Sequence, residues 1–194
     1  MKKTKNNVTS KIIVLKFGGS SVANIERIQK VARRIIQYRK KNLSPVVVVS
    51  AMGDTTDNLL ELAYQTNPCP PQREMDLLLS TGEIISASIL AMCIQNAGYR
   101  ACALTGSQVG IVTNDLHTKA KIISISPQRI LQEINKKNIV IIAGFQGKTS
   151  GDEITTLGRG GSDLSAVALA YSLNTSFCEI FTDVEGCLLY TSPS

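Results

Sequence analysis

The feature that most constrains the fold is a pair of β-branched apolar runs without polar alternation. Residues 46–49 are four consecutive valines, and residues 139–142 read Ile-Val-Ile-Ile before Ala143, Gly144 and Phe145. A strand that is apolar at every position is buried on both faces, which is typical of a parallel sheet covered by helices. The sequence therefore predicts the α/β class, as a three-layer α/β/α sandwich with a mostly parallel central sheet.

Helical periodicity alternates with further strand candidates along the chain. Apolar residues recur at three- and four-residue steps, as in the stripe from Ile25 to Ile36. The three prolines within residues 66–72 exclude regular structure there. The other predicted strands are residues 12–17, 100–104, 122–125 and 177–182. The predicted helices are residues 26–41, 57–65, 74–97, 127–137 and 162–173.

Length and composition indicate one globular domain in the cytoplasm. The 194 residues suffice for one sizeable core, and no apolar run approaches the roughly 18 residues of a membrane span. The first ten residues are polar and basic, unlike a signal peptide. Five scattered cysteines favour free thiols, and the lone His117 is given no catalytic role.

The net charge of +6 is concentrated in one part of the chain. Residues 1–41 contain twelve Lys or Arg and one acid, Glu26, whereas the remainder has nine basic and fourteen acidic residues. Aromatic residues do not interleave with the basic ones as a base-stacking surface requires. This pattern predicts a solvated basic tail and helix face, with neither nucleic acid nor membrane as a partner.

The first glycine-rich segment follows the first predicted strand. Lys16 and Phe17 precede Gly18 and Gly19 at the point where ligands bind in such folds. Paired glycines let backbone N–H groups approach an anion, and a lysine suits phosphate. The segment matches neither the Walker A pattern nor the dinucleotide-binding pattern. By itself it predicts either an anion site or a turn with a bystander lysine.

The second glycine-rich segment is more specific. Gly158, Gly160 and Gly161 surround Arg159 and precede Ser162 and Asp163 at a predicted helix start. Such a segment forms an anion cradle at a helix N-terminus. Ser162 or Asp163 could serve only as a helix cap, but a cap does not explain an arginine among glycines. The arginine favours bidentate binding of a carboxylate or phosphate.

Two further residues leave alternatives open. Thr56 belongs to a hydroxyl-rich segment after the second strand, where it either orients a substrate or caps the next helix. Glu83 lies within a largely apolar helix, and a buried acid is costly without a partner. It either faces solvent or receives a cation such as an ammonium group.

Five segments together resemble the aspartokinases of the amino-acid kinase family. They are residues 14–21, 48–57, 73–83, 105–108 and 156–163, and the resemblance runs in one order over residues 12–186. It implies the amino-acid kinase fold and transfer of the ATP γ-phosphoryl group to the β-carboxylate of L-aspartate. That reaction is the first step towards lysine, threonine and methionine. ATP and Mg²⁺ are the implied cosubstrate and cofactor.

The same resemblance implies roles for individual residues. Lys16 would neutralise charge on the transferring phosphoryl group, and Asp163 would organise the site around it. The implied substrate-binding residues are Thr56, Glu83, Arg159 and Ser162. The implied ATP-binding residues are Lys16, Gly18, Gly19, Ser20, Thr182 and Asp183.

The chain departs from the family pattern after Gly186. We therefore predict a basic tail at residues 1–11, a C-terminally truncated kinase domain at residues 12–186 and a non-native tail at residues 187–194. The full-length protein is expected to be a homo-oligomer. The alternatives are a kinase of the same fold for acetylglutamate, a nucleoside monophosphate or carbamate, or an inactive ligand-binding fragment.

Overall fold

A five-stranded parallel sheet forms the centre of the molecule in the computed structural model, which describes residues 11–182. Its strands are β1 (Ile12–Phe17), β2 (Ser44–Val49), β3 (Ala101–Leu104), β6 (Ile139–Ala143) and β9 (Cys178–Phe181). Their order across the sheet is β3-β6-β2-β1-β9, and every neighbouring pair is parallel. Ligand-facing loops after β1, β2 and β6 therefore leave the sheet at one edge.

Helices cover both faces of this sheet. They are α1 (Ile25–Lys40), α2 (Thr55–Thr66), α3 (Gln72–Asn96), α4 (Gln128–Asn135) and α5 (Gly161–Ser172). Val47 and Val49 pack with α1 and α3, whereas Val46 and Val48 pack with α4 and α5. Alternate residues of β2 thus face opposite helical layers, which explains the unbroken apolar run. The predicted three-layer fold is confirmed.

Local signals set several boundaries of these elements. The Asn24 side chain accepts a hydrogen bond from the Arg27 N–H at 2.9 Å and caps α1. Pro45 lies inside β2, but β2 begins to pair with β6 only at Val46, so no ladder bond to β6 is lost there. The predicted elements agree with the observed ones to within a few residues.

Helix α3 is long and apolar enough to cross a membrane by composition alone. It instead packs against β3 and β6, and half of its most apolar window is buried inside the molecule. This is the pattern of a core helix.

A second, smaller sheet was largely missed by the sequence patterns. It consists of β4 (Ile111–Thr113), β5 (Ile122–Ile125), β7 (Gln146–Lys148) and β8 (Ile154–Thr156) in the order β5-β4-β7-β8. Only β5 was predicted, and the glycine-rich stretch from residue 147 to residue 161 contains part of β7 and all of β8. Three-residue strands are too short to display a periodicity. Strand β8 leads directly into the Gly158 segment.

The predicted tail at residues 187–194 lies outside the described residues, as do residues 1–10. The proposed domain boundaries at residues 11, 12 and 186 therefore stay predictions.

Gly106 is where the loop after β3 touches the second sheet. A Cβ at this position would lie 2.1 Å from the Gln146 carbonyl oxygen, which is backbone and cannot swing away. We expect Gly106→Ala to lower the free energy of unfolding by about 1–3 kcal/mol or more, as overpacking does. Chemical denaturation measures the change.

Gly151→Ala is the matched control, because its added methyl group would meet nothing nearer than Thr149 Oγ1 at 3.6 Å. We expect a change of about 0.5 kcal/mol or less, as at ordinary surface sites. Equal losses of stability in the two variants would contradict the close approach at Gly106.

Candidate active site

One cleft of about 240 Å³ lies at the carboxyl ends of β1, β2 and β6 and at the N-terminus of α5. Its lining residues are Lys16, Gly19, Ser50, Ala51, Gly53, Thr56, Glu83, Phe145, Gly158, Arg159, Gly160, Gly161, Ser162 and Asp163. Seven residues singled out from the sequence as site residues are among them. The two glycine-rich segments, which are far apart in the sequence, therefore meet in one place.

Lys16 and Asp163 form an ion pair within the cleft. Lys16 Nζ lies 2.7 Å from Asp163 Oδ1, and the exposed fractions of the two side chains are 9% and 48%. Strand β1 positions the lysine, and the first turn of α5 positions the carboxylate. A carboxylate beside a buried ammonium group offsets part of the cost of removing that group from water. The pair places a fixed ammonium group in the wall of the cleft.

The loop after β1 requires glycine. A Cβ at Gly19 would lie 2.8 Å from the Ala51 carbonyl oxygen, and Gly53 N–H donates to the Gly19 carbonyl at 3.1 Å. A Cβ at Gly18 would lie 3.5 Å from Lys16 Nζ. The glycines therefore allow the loops after β1 and β2 to touch, and they leave the space above the lysine open.

Glu83 is buried on α3, contrary to the solvent-facing alternative. Only 4% of the residue is exposed. Its Oε1 accepts a hydrogen bond from the Ala51 N–H at 3.1 Å, whereas Oε2 has no hydrogen-bonding partner among the described residues. Burial raises the pKa of the Glu83 carboxyl from 4.5 to about 7. The cleft wall therefore contains a desolvated carboxyl oxygen that a cationic ligand would satisfy.

Arg159 projects from a turn built by its neighbours. Gly158 and Gly160 both have φ near +75°, a backbone conformation that favours glycine. Gly161 is required for another reason, since a Cβ there would lie 2.9 Å from Phe145 Cδ2. The Arg159 side chain is exposed and makes no ion pair or hydrogen bond with residues 11–182. An anion entering the cleft can therefore be bound by a free guanidinium at the N-terminus of α5.

Thr56 lines the cleft from the first turn of α2. The helix-capping alternative does not hold for it, because the Thr55 hydroxyl donates to the Met52 carbonyl at 2.6 Å and holds that turn. The Thr56 side chain makes no hydrogen bond with residues 11–182 and remains available to a ligand.

Not every predicted nucleotide-binding residue lies in this cleft. Gly18 and Ser20 stand beside it, with Ser20 in a short 3₁₀ turn from Ser20 to Val22. Thr182 lines a separate groove with Ser21 and the basic side chains of α1. Asp183 lies outside the described residues. The nucleotide end of the predicted site is therefore only partly assembled by residues 11–182.

Two contributors to the cleft were missed by the sequence patterns. The ring of Phe145 lines the cleft, and its N–H donates to Ser165 Oγ at 3.1 Å. Phe145 directly follows a strand that ends at the ligand-binding edge, so its position could have marked it. The Ala51 N–H that binds Glu83 carries no signal in the sequence, because any residue supplies a backbone N–H.

The described residues contain no group of three or more His, Cys, Asp or Glu side chains placed to bind a metal ion. Asp163 also lines the cleft, and its ion pair with Lys16 uses Oδ1, which leaves its second carboxylate oxygen outside the pair. A divalent ion that shares its coordination with phosphate oxygens is compatible with one such carboxylate.

Comparisons with known proteins agree with this geometry. The family model described as the amino acid kinase family matches residues 11–193. The chain therefore belongs to the amino acid kinase family.

Within that family, aspartokinases are among its most similar relatives, as the sequence segments indicated. The aspartokinase of Geobacillus stearothermophilus is 55% identical over 175 residues, which cover 90% of this chain and 43% of the relative. The aspartate kinase structure from Synechocystis has a TM-score of 0.79 at 48% identity and covers 90% of this chain and 28% of that one. The structure of E. coli aspartokinase III with aspartate and ADP has a TM-score of 0.79 at 25% identity. The match covers 91% of this chain and 50% of that one. The chain thus spans less than half the length of the curated relatives that it matches.

Proposed function

We propose that this chain contains the catalytic site of an aspartate kinase. It transfers the γ-phosphoryl group of ATP to the β-carboxylate of L-aspartate, in the first step of lysine, threonine and methionine biosynthesis. The observation that carries the proposal is that buried Glu83 and exposed Arg159 line the same cleft, where neither Oε2 of Glu83 nor the Arg159 guanidinium has a partner within residues 11–182. A carboxylate and an arginine in one cleft match the ammonium and carboxylate groups of an α-amino acid.

Support for the substrates comes from chemistry and from a relative. Glu83 receives the α-ammonium group, Arg159 binds the α-carboxylate, and Thr56 and Ser162 donate hydrogen bonds to carboxylate oxygens. The E. coli aspartokinase III structure contains aspartate and ADP. Gly18, Gly19 and Ser20 bind ATP, and Thr182 and Asp183 are the other proposed ATP-binding residues.

The reaction requires no general base, because the aspartate β-carboxylate is already ionised at neutral pH. One of its oxygens attacks the γ-phosphorus, the bond to the β-phosphate oxygen breaks, and ADP leaves with that electron pair. Lys16 stabilises the negative charge on the transferring group, and Asp163 holds Lys16 Nζ in place at 2.7 Å. Catalysis therefore consists of positioning and charge stabilisation.

Mg²⁺, when bound with ATP, would neutralise phosphate charge, and Asp163 is the described carboxylate that could contact it. The four described cysteines are free thiols, which fits the proposed cytoplasmic location. Homo-oligomerisation of the full-length protein stays a prediction.

A hydroxamate assay with ATP separates the proposal from its alternatives. Hydroxylamine traps an acyl phosphate, so colour that depends on aspartate supports aspartate kinase activity. Colour with acetylglutamate, or ATP consumption with carbamate or a nucleoside monophosphate, would instead indicate another kinase of the family. Calorimetric binding of aspartate and ATP without turnover would indicate a ligand-binding fragment.

Aspartate affinity should rise with pH. The free Glu83 carboxyl has a pKa of about 7, and only its ionised form pairs with an ammonium group. The ionised fraction increases about tenfold from pH 6 to pH 8 for such a pKa, so we expect the aspartate Kd to fall by about tenfold. Isothermal titration calorimetry across this range measures the effect. A Kd that is constant with pH, or that rises with it, would remove Glu83 from ammonium binding.

A further inference from the structure

A second buried carboxylate lies on α3, outside the cleft. Asp76 has no exposed surface. Its two oxygens accept hydrogen bonds from the Thr118 N–H at 3.0 Å, and Oδ1 accepts another from Thr156 Oγ1 at 2.5 Å. His117 Nδ1 lies 2.7 Å from Oδ2. One side chain therefore joins α3 to the loop after β4 and to the end of β8.

Two of these partners, Thr156 and Thr118, lie next to the turn that contains Arg159. Thr156 is the last residue of β8 and lies two residues before Gly158. The Thr118 carbonyl oxygen is 3.2 Å from the place where a Cβ on Gly158 would be. The Ala120 N–H donates to the Thr156 carbonyl at 2.9 Å, which keeps the two segments side by side. Asp76 is therefore hydrogen-bonded to both segments that lie against Gly158.

The same helix face carries Glu83. Asp76 and Glu83 are seven residues apart, which is two helical turns, and both are buried. Glu83 lines the cleft, whereas Asp76 holds the turn that presents Arg159 to the same cleft. Helix α3 therefore sets where the ammonium-binding and carboxylate-binding groups stand relative to each other.

We propose that Asp76 is a positioning residue for substrate binding, acting through Thr156 and Thr118 on the Arg159 turn. The proposal rests on the proposed function, because its kinetic consequence assumes that Arg159 binds the substrate carboxylate. Binding of an α-amino acid needs both ends to be bound at once, so a small displacement of the turn weakens it.

Asp76→Asn removes one acceptor oxygen and the negative charge at nearly constant shape. We expect the KM for aspartate to rise about tenfold, while kcat and the KM for ATP stay within about twofold. Thr156→Val, which removes the hydroxyl that contacts Asp76, should raise the aspartate KM in the same way. Thr156→Ser keeps that hydroxyl and should have a normal aspartate KM. The Thr156 pair therefore tests the proposal even if Asp76→Asn fails to fold.

Glu133→Gln is the matched control for a purely structural role. Glu133, on α4, is also a buried acid, 4% exposed, and its carboxylate oxygens accept hydrogen bonds from Lys136 and Asn138. The Glu133→Gln variant should have a lower free energy of unfolding and an unchanged aspartate KM. Equal increases of KM in the Glu133 and Asp76 variants, or no increase in the Asp76 and Thr156→Val variants, would overturn the proposal.

Hydrogen exchange tests the positioning independently of activity. The Leu157 and Gly161 N–H groups donate to the Phe145 and Gly158 carbonyls at 2.9 and 3.0 Å. We expect these amides to exchange about tenfold faster in Asp76→Asn than in Glu133→Gln, measured against core amides of β2. Unchanged exchange would overturn the proposal, even in a chain that turns out not to bind aspartate. Faster exchange without aspartate binding would instead retain the positioning and reject the proposed function.

Discussion

Lys16→Ala is expected to reduce turnover by about 100- to 1,000-fold, the range seen when one donor to developing charge is removed. The affinity for aspartate should change by no more than about threefold, because Glu83 and Arg159 bind the ends of that substrate. The Asp163 side chain is 48% exposed, although its Oδ1 is buried beside Lys16, so water can enter the space that alanine leaves and the fold should stay intact. The hydroxamate assay gives kcat, and calorimetry gives the aspartate Kd.

Two further variants make this prediction specific. Lys16→Met keeps the aliphatic stem within β1 and removes only the charge, so it should be as slow as Lys16→Ala. Lys30→Met removes an exposed lysine that pairs with Glu26 on α1 and should leave turnover unchanged. Near-normal turnover of either Lys16 variant would exclude this lysine from charge stabilisation.

Glu83→Gln should weaken aspartate binding and at the same time stabilise the free protein. Loss of a hydrogen bond to a charged group costs roughly 2–3 kcal/mol, which corresponds to about 30- to 150-fold in Kd. The pKa of the folded carboxyl is raised from 4.5 to about 7, so its stability cost develops between those values as pH rises. Above pH 7 that cost reaches up to about 3 kcal/mol, which the amide avoids.

The measurement is urea unfolding at pH 8 and at pH 4.5, with calorimetric binding of aspartate at pH 8. The gain in the free energy of unfolding should be largest at pH 8 and should shrink towards pH 4.5, where the carboxyl is protonated in the fold. Glu133→Gln should show the opposite sign at pH 8, because the Lys136 hydrogen bond lowers the pKa of Glu133 in the folded state. A loss of stability in Glu83→Gln at pH 8 would mean that Oε2 is satisfied in the free protein.

Much of the fold was predictable because its information is local. Residues 46–49 and 139–143 are apolar at every position, and this is sufficient to indicate strands covered on both faces. Gly98, with φ of +83°, ends α3 where the periodicity ended. The strands β4, β7 and β8 escaped prediction, since three residues show no period and β7 contains a glycine that pairs only through its backbone.

The candidate site was predictable in its members and less so in its arrangement. The glycine-rich segments around Lys16 and Arg159 could be recognised because their backbone requirements leave a mark in the sequence. Asp76 carries no such mark. An acid near the start of a helix ordinarily faces solvent. Only the hydrogen bonds from Thr118 and Thr156 show that this carboxylate is buried and bound by two other segments.

The sequence by itself determined the α/β class, the order of the principal elements and the residue types available at the ligand-binding edge. Only the tertiary structure decided that Lys16 pairs with Asp163, that one oxygen of buried Glu83 has no partner within residues 11–182, and that Asp76 binds Thr118 and Thr156. The reason is that periodicity and turn preferences depend on neighbours along the chain. Desolvation and ion pairing depend instead on which distant segments meet in space.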